Sequence, residues 1–187
     1  MLRIIAGSAR GIVLEAPRGR NTRPTLGSTR ESIFNVLANV GIIDTRVLDI
    51  FAGTGALGLE ALSRGATEAV FIDKATGSII RKNAKKCHVE DKVKVLGGDV
   101  MRSLASLQGQ TFDYLFMDPP YDRGLEKEVL SRLKASPLVT EETLLIVEAS
   151  LETDFSYLEE FGYEVVKRKE YKTNVHMFLQ RTKGADT

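Results

Sequence analysis

From about residue 46 onwards, short apolar runs alternate with longer segments in which apolar residues recur with helical spacing. The runs have the length and composition of strands. One of them, 112–117, is apolar at five of its six positions, which is typical of a parallel strand covered on both faces. The predicted strands of this part of the chain are 46–51, 68–73, 92–96, 112–117 and 143–148.

Helical periodicity fills the intervals between these strands. Residues 56–64 form one predicted helix, which Gly65 ends. Residues 75–88 form another, whose apolar positions fall on one face and include Cys87, so this thiol is predicted to be a core residue. Strand–helix alternation predicts a doubly wound α/β fold with helices on both faces of the sheet. With the two strands of the terminal hairpin described next, the sheet is predicted to be seven-stranded and mixed.

Both ends of the chain depart from this alternation. At the start, two short apolar runs flank Gly7 and Gly11 and predict a small β-hairpin, followed by a helix over 28–37. Near the end, the pattern predicts a helix over 154–161 and an antiparallel hairpin built from 163–168 and 175–181. We therefore divide the chain into an N-terminal extension, 1–40, and a body, 41–187.

Composition limits the class of protein. A chain of 187 residues with 43% hydrophobic and 27% charged residues suits one soluble domain. No apolar run is long enough to cross a membrane, and Arg3 interrupts the start as a signal peptide. One cysteine and two histidines leave no internal disulfide and little material for a metal site. The sequence predicts a cytoplasmic protein with no metal and no membrane partner.

Positive charge is concentrated at the start of the chain. Residues 1–30 contain six arginines and a single acid, Glu15, although the whole chain has a net charge of only +1. Arginine favours bidentate contact with phosphate, so this extension is a candidate for RNA binding; the alternative is a solvated terminus. The candidate RNA contacts are Arg10, Arg18, Arg20, Arg23 and Arg30.

A glycine-rich loop follows the first predicted strand. The segment from Asp49 to Gly58 contains G-x-G-x-x-G, which permits a tight turn and presents helix N–H groups to a ligand. The fingerprint alone fits a dinucleotide equally well. Asp49 would repel a pyrophosphate and would suit the ammonium group of S-adenosylmethionine. The predicted cofactor-binding residues are Asp49, Phe51, Gly53, Gly55, Asp73, Lys74, Asp99 and Val100.

The tetrapeptide Asp118-Pro119-Pro120-Tyr121 directly follows the fourth predicted strand. Its two prolines stop the strand in a rigid turn at the edge of the sheet where ligands bind. Such a turn can direct the Asp118 carboxylate and the Pro119 carbonyl at an exocyclic amine of a base, while Tyr121 stacks on that base. These four residues are the predicted catalytic group.

The chain resembles class I methyltransferases at these two motifs. Further N-terminal motifs, Arg3-Ile-Ile-Ala-Gly7, Arg23-Pro24-Thr25 and Arg30-Glu31-Ser-Ile-Phe34-Asn35, are similar to the bacterial 16S rRNA (guanine(966)-N(2))-methyltransferase family. The resemblance continues through the segment from Gly55 to Arg64 and covers nearly the whole chain.

The resemblance implies S-adenosylmethionine as cofactor and the N2 amino group of a guanine in 16S rRNA, position 966, as methyl acceptor. It also implies a partner, the small ribosomal subunit or its assembly intermediate. Three alternatives stay open at this point: adenine-N6 methylation of DNA or RNA, a nicotinamide-dependent oxidoreductase, and a non-catalytic assembly factor that keeps the fold.

Overall fold

A single seven-stranded sheet forms the centre of the protein, in the strand order β3-β2-β1-β4-β5-β7-β6. The computed structural model describes residues 1–18 and 27–184. The strands are β1 (Arg46–Ile50), β2 (Glu68–Ile72), β3 (Val93–Leu96), β4 (Tyr114–Met117), β5 (Leu144–Ser150), β6 (Tyr163–Glu170) and β7 (Asn174–Arg181). The α-helices are α1 (Gly27–Ala38), α2 (Ala56–Ser63), α3 (Gly77–Lys86), α4 (Val100–Ser106) and α5 (Leu125–Leu133).

The first five strands are parallel, and β7 pairs antiparallel with both β5 and β6. The loops that follow β1, β4 and β5 therefore all emerge at one edge of the sheet, its carboxyl edge, and the β6–β7 turn returns to the same edge. The predicted α/β fold with a seven-stranded mixed sheet is confirmed, as is the pairing of the terminal hairpin.

Helices cover both faces of the sheet because the central strands are apolar on both sides. The first three helices pack on one face, where Phe34 and Phe116 lie with ring centroids 5.8 Å apart. The last two helices pack on the other face against Leu115 and Met117. Cys87 is buried between the sheet and the first three helices, as its position on a helix face predicts.

The N-terminal segment packs against helix α2 through two polar side chains. The predicted hairpin is present as a single antiparallel bridge between Arg3 and Val13. Glu60, fully buried, accepts hydrogen bonds from the backbone N–H groups of Ile5 and Ala6. Ser63 Oγ accepts from the Ala9 N–H at 2.9 Å. These bonds hold the start of the extension on the body; the division at residue 40 stays a prediction.

The predicted helix over 154–161 is wrong: these residues form a succession of turns. Asp154 accepts hydrogen bonds from the backbone N–H and hydroxyl of Ser156, an arrangement that competes with helical hydrogen bonding. The apolar residues of the segment pack beneath α5 without helical geometry. Two of them, Tyr157 and Phe161, are in contact, with their rings tilted by 46° and their centroids 4.9 Å apart.

Within the described residues, none of the helices has the length and apolar character needed to cross a membrane.

Candidate active site

Three carboxylates lie on one face of the sheet at its carboxyl edge. Asp49 is in β1, paired in register with Phe116 of β4, and Asp118 follows two residues later on the same face. Val147 of β5 pairs with Met117, so Glu148 is the neighbour of Asp118. Because side chains alternate along a strand, this register directs all three acids to one side.

Asp49 is 3% exposed, and its Oδ2 accepts a hydrogen bond from the Gly58 N–H at 3.0 Å. Burial raises the pKa of Asp49 to about 8; the Gly58 N–H opposes the shift, and the charge of Asp73 adds to it. Gly58 cannot carry a side chain, since a Cβ there would lie 2.4 Å from the Phe71 ring. This carboxyl group lacks a cationic partner among the described residues.

The loop after β1 needs left-handed backbone at three positions. Gly53 and Gly55 have φ of +57° and +80°, and Phe51 adopts φ of +58° despite its side chain. A Cβ at Gly53 would meet no atom within 4 Å, so the loop borders open space. The predicted cofactor residues of this loop therefore come together beside the carboxyl edge.

Asp73 and Asp99 both bind backbone amides. Asp73 Oδ2 accepts from the Gly53 N–H at 3.0 Å, and its Oδ1 accepts from Ala75 and Thr76. Asp99 caps helix α4 by accepting from the Arg102 N–H at 3.1 Å. The next residues, Lys74 and Val100, are exposed and half-buried respectively. Their predicted contacts with a cofactor stay predictions.

The Asp118-Pro119-Pro120-Tyr121 turn leaves the sheet at the end of β4, between β1 and β5. Burial first, and then the negative charges of Glu148 and Asp49, raise the pKa of Asp118 well above its ordinary value. Pro119 is buried, Pro120 is exposed, and Tyr121 is half-buried. A ligand that donates a hydrogen bond to Asp118 would therefore stabilise the ionised form of this carboxyl group.

Glu148 connects Tyr121 to the terminal hairpin. Its Oε1 accepts from the Tyr121 hydroxyl at 2.9 Å and from Asn174 Nδ2 at 2.8 Å. Its Oε2 lies 3.4 Å from Nε2 of His176, which is fully buried against the edge of Tyr171. Burial alone would raise the pKa of Glu148, but the contact with His176 first, and then the hydrogen bonds from Tyr121 and Asn174, lower it below its ordinary value.

The site residues predicted from the sequence do not include Glu148, Asn174 or His176. A polar residue at the carboxyl end of a buried strand was the available signal for Glu148, which follows four apolar residues. The other two lie on β7, and only its pairing with β5 brings them to the site.

The five predicted RNA-contact arginines lie in different surroundings. Arg10 and Arg18 are exposed. Arg20 and Arg23 lie outside the described residues. Arg30 is only 2% exposed: its guanidinium donates to the backbone carbonyl of Arg3, and its Nε lies 3.9 Å from Glu60. Arg30 thus joins the N-terminal segment to helix α2 and is not displayed to a ligand.

Among residues 1–18 and 27–184 there is no group of three or more His, Cys, Asp or Glu side chains arranged to hold a metal ion.

Comparison with known proteins agrees with this architecture. Ribosomal RNA small subunit methyltransferase D of Escherichia coli K12 is 40% identical over 153 residues, which is 81% of this chain and 76% of that protein. The protein of the same name from Haemophilus influenzae is 36% identical over 152 residues, 79% of this chain and 78% of that protein. The solved structure of yhhF from Escherichia coli superposes with a TM-score of 0.81 at 36% identity, covering 96% of this chain and 97% of that one.

The family model described as "Conserved hypothetical protein 95" matches residues 2–180. The resemblance to class I methyltransferases is thereby confirmed, and the chain belongs to this family.

Proposed function

We propose that this protein transfers a methyl group from S-adenosylmethionine to the N2 amino group of a guanine in 16S rRNA, at position 966, in the small ribosomal subunit. The observation that carries the proposal is the position of Asp118 and Tyr121. They lie on the rigid turn after β4, next to the glycine loop and between two further buried carboxylates. The names of the relatives at 40% and 36% identity support ribosomal RNA as substrate.

The loop residues fit the proposed cofactor. Asp49 is a buried carboxyl group without a cationic partner in the described chain, and an ammonium group is the complement that would favour its ionised form. The open space at Gly53 admits a ligand close to the backbone. Asp73, Lys74, Asp99 and Val100 would complete the site around the ribose and adenine. When bound, S-adenosylmethionine supplies a methyl group on a positively charged sulfur.

Asp118 and the Pro119 carbonyl would accept hydrogen bonds from the two N–H bonds of the target amine. This grip favours a pyramidal nitrogen whose lone pair points at the methyl carbon. Bound S-adenosylmethionine would supply the methyl group, so the new N–C bond would form as the C–S bond of the donor breaks, and the electron pair of the broken bond would stay with the donor. Positive charge then develops on nitrogen, so the acceptors bind the transition state more strongly than the substrate. Asp118, with its raised pKa, accepts the proton that nitrogen must lose.

Tyr121 would stack on the extruded guanine, and exposed arginines of the N-terminal extension would contact phosphates. Arg10 and Arg18 are the described candidates, and Arg20 and Arg23 belong to the same basic stretch. Stacking fixes the plane of the base, whereas phosphate contacts supply affinity that does not depend on base identity.

The test is methyl transfer from radiolabelled S-adenosylmethionine to small ribosomal subunits that lack their native methylations. Wild type is compared with Asp118→Ala, and the labelled nucleoside and its position are identified. We expect label in N2-methylguanosine at position 966 with wild type. The variant should be slower by about 10²–10³-fold, the usual cost of losing one preorganised polar group.

The same experiment separates the rival functions. Label in N6-methyladenosine would keep the catalytic assignment and replace the substrate by adenine. Transfer to no nucleic acid, despite measurable cofactor binding, would remove support for the enzymatic proposal and favour an assembly factor. Binding of a nicotinamide dinucleotide in place of S-adenosylmethionine would indicate an oxidoreductase.

A further inference from the structure

The terminal hairpin brings a second group of basic residues to the carboxyl edge of the sheet. Asp118 neighbours Glu148 across the β4–β5 pair, Glu148 pairs with His176, and His176 pairs with Lys169 of β6. Strands in a sheet lie about 4.8 Å apart, so three such steps place Lys169 roughly 14 Å from Asp118 along the edge. The hairpin is thus within reach of the nucleotides that flank a base bound at Asp118.

Three lysines of the hairpin, two on β6 and one in the turn after it, lack acidic partners. Arg168 is engaged by Glu170, with Nε and Oε1 3.0 Å apart. By contrast, no carboxylate of the described residues lies within 4.0 Å of the amino groups of Lys167, Lys169 or Lys172. Lys167 and Lys172 are exposed, and Lys169 is half-buried. We call these three residues the lysine surface.

The net charge of the chain is unevenly distributed, and the segment that contains the terminal hairpin is one of two with a net positive charge. Residues 163–187 contain six basic and three acidic side chains, a net charge of +3, and residues 1–30 carry +5. The 132 residues between them, with 14 basic and 21 acidic side chains, carry −7. Net positive charge is therefore found only in the two terminal segments, and a polyanion would be attracted to them and repelled by the segment between them.

The terminal hairpin contacts helix α1. Ser32 of helix α1 accepts hydrogen bonds at its Oγ from Lys169 Nζ at 2.9 Å and from the Tyr171 hydroxyl at 2.8 Å. In the sequence, α1 follows the basic stretch that contains Arg20 and Arg23. Helix α1 and the hairpin consequently border the same part of the carboxyl edge.

We infer that Lys167, Lys169 and Lys172 contact the RNA phosphates that flank the target nucleotide. This inference rests on the proposed function, since it assumes an RNA substrate. Lysine acts as a point charge toward phosphate, so the surface contributes affinity and salt dependence and does not select the base.

An alternative role for these lysines is protection of an edge strand. Charged side chains on an exposed edge strand prevent it from pairing with another molecule, and β6 is such a strand. Lys172 distinguishes the two roles. It lies in the turn after β6, where it cannot prevent the edge strand from pairing with another molecule.

The test compares two triple variants of equal charge. One replaces Lys167, Lys169 and Lys172 by glutamine. The control replaces Lys82, Lys85 and Lys94, exposed residues of α3 and β3 near the opposite edge of the sheet. Binding to unmethylated small subunits is measured between about 50 and about 200 mM salt, with S-adenosylmethionine affinity measured in parallel.

We measure the slope of log affinity against log salt. In the lysine-surface variant this slope should be less steep than in wild type by about 2, and in the control it should equal the wild-type slope. The single variant Lys172→Gln, in an exposed turn, should flatten it by about 1. Cofactor affinity should not change in either case. Lys172→Gln decides the matter if the triple variant folds poorly.

Equal slopes in the two triple variants would overturn the inference. So would aggregation of the lysine-surface variant with an unchanged slope for its monomeric fraction, which would assign the lysines to edge protection. Failure of the proposed function gives a different result: wild-type protein that transfers no methyl group to the subunits.

Discussion

The hydroxyl of Tyr121 donates a hydrogen bond of 2.9 Å to Oε1 of Glu148, a residue 27 positions further along the chain. The bond joins the ring proposed to stack on the base to a carboxylate that two residues of β7 hold in place. The orientation of Tyr121 is therefore set from inside the sheet as well as by the two prolines that precede it.

This relationship predicts the effect of Tyr121→Phe. The variant keeps the flat ring and loses only the hydrogen bond, so kcat should fall about tenfold, with the affinity for RNA nearly unchanged. Glu148→Gln should reduce kcat to a similar extent. Because Glu148 acts in part through Tyr121 and in part through its charge beside Asp118, the loss in the double variant should be smaller than the product of the two single losses.

Steady-state kinetics on small ribosomal subunits measure these effects. Tyr163→Phe is the matched control, since its hydroxyl donates to the Leu130 carbonyl at 2.9 Å on the other face of the sheet. Multiplicative losses in the double variant would mean that Glu148 acts independently of Tyr121.

The raised pKa of Asp49 predicts how stability depends on pH. A carboxyl group with a pKa of about 8 in the folded protein and an ordinary value in the unfolded chain favours folding only while protonated. The free energy of unfolding should therefore fall as pH rises toward 8. Asp49→Asn removes this loss, and its advantage over wild type should grow by a few kcal/mol, roughly, between pH 5 and 8.

Thermal melts of cofactor-free protein at several pH values test this, and each kcal/mol corresponds to about 2–4 °C in Tm for a chain of this size. Asp91→Asn, at an exposed position, corrects for general charge effects. If the difference in stability between Asp49→Asn and wild type does not change with pH, burial does not raise the pKa of Asp49.

Two glycines of the N-terminal segment allow the steric cost of an added side chain to be measured apart from the cost of left-handed backbone. Gly7 and Gly11 have nearly equal φ, +85° and +83°, but a Cβ at Gly7 would lie 1.8 Å from the Ser63 carbonyl oxygen, whereas one at Gly11 meets nothing. Gly11→Ala should cost about 1 kcal/mol for the left-handed backbone alone. Gly7→Ala should cost at least about 2 kcal/mol more, because the segment must leave α2.

Urea denaturation gives both values, and equal costs for Gly7→Ala and Gly11→Ala would show that this segment does not pack on α2 as described.

Arg10 and Arg30 should respond differently to mutation. Arg30→Ala leaves Glu60 paired with Arg64, but it removes a large buried side chain and its hydrogen bond to the Arg3 carbonyl, which should lower the free energy of unfolding by about 3 kcal/mol. Arg10→Ala, at an exposed position, should change it by no more than about 0.5 kcal/mol and should weaken RNA binding.

Urea denaturation and RNA binding per folded molecule distinguish the two. Loss of RNA affinity by Arg30→Ala without loss of stability would restore Arg30 as a direct contact.

How much the sequence predicts depends on how local each feature is. The strands and the glycine loop are local, because apolar runs and turn residues are next to each other in the chain. The turns at 154–161 were mistaken for a helix because Phe155, Tyr157, Leu158 and Phe161 recur with near-helical spacing, whereas Asp154 binds the backbone of Ser156. Nothing in the sequence near Arg30 indicates that it is buried beside Glu60, which is 30 residues away.

The group of residues around Glu148 is entirely non-local. Asn174 and His176 come to Glu148 through an antiparallel pairing that no spacing within either strand encodes. The motif residues of the site could be predicted, whereas the residues that support them required the sheet order.

The position of β7 between β5 and β6 also has a consequence for biosynthesis. The seventh strand along the sequence is an interior one, and it carries the partners of Glu148. A nascent chain that has not yet released β7 from the ribosome exposes an unpaired edge on β5 and leaves Glu148, the partner of Tyr121, without Asn174 and His176. The carboxyl edge is thus complete only when synthesis of the hairpin has finished, so we expect products that terminate before β7 to lack activity.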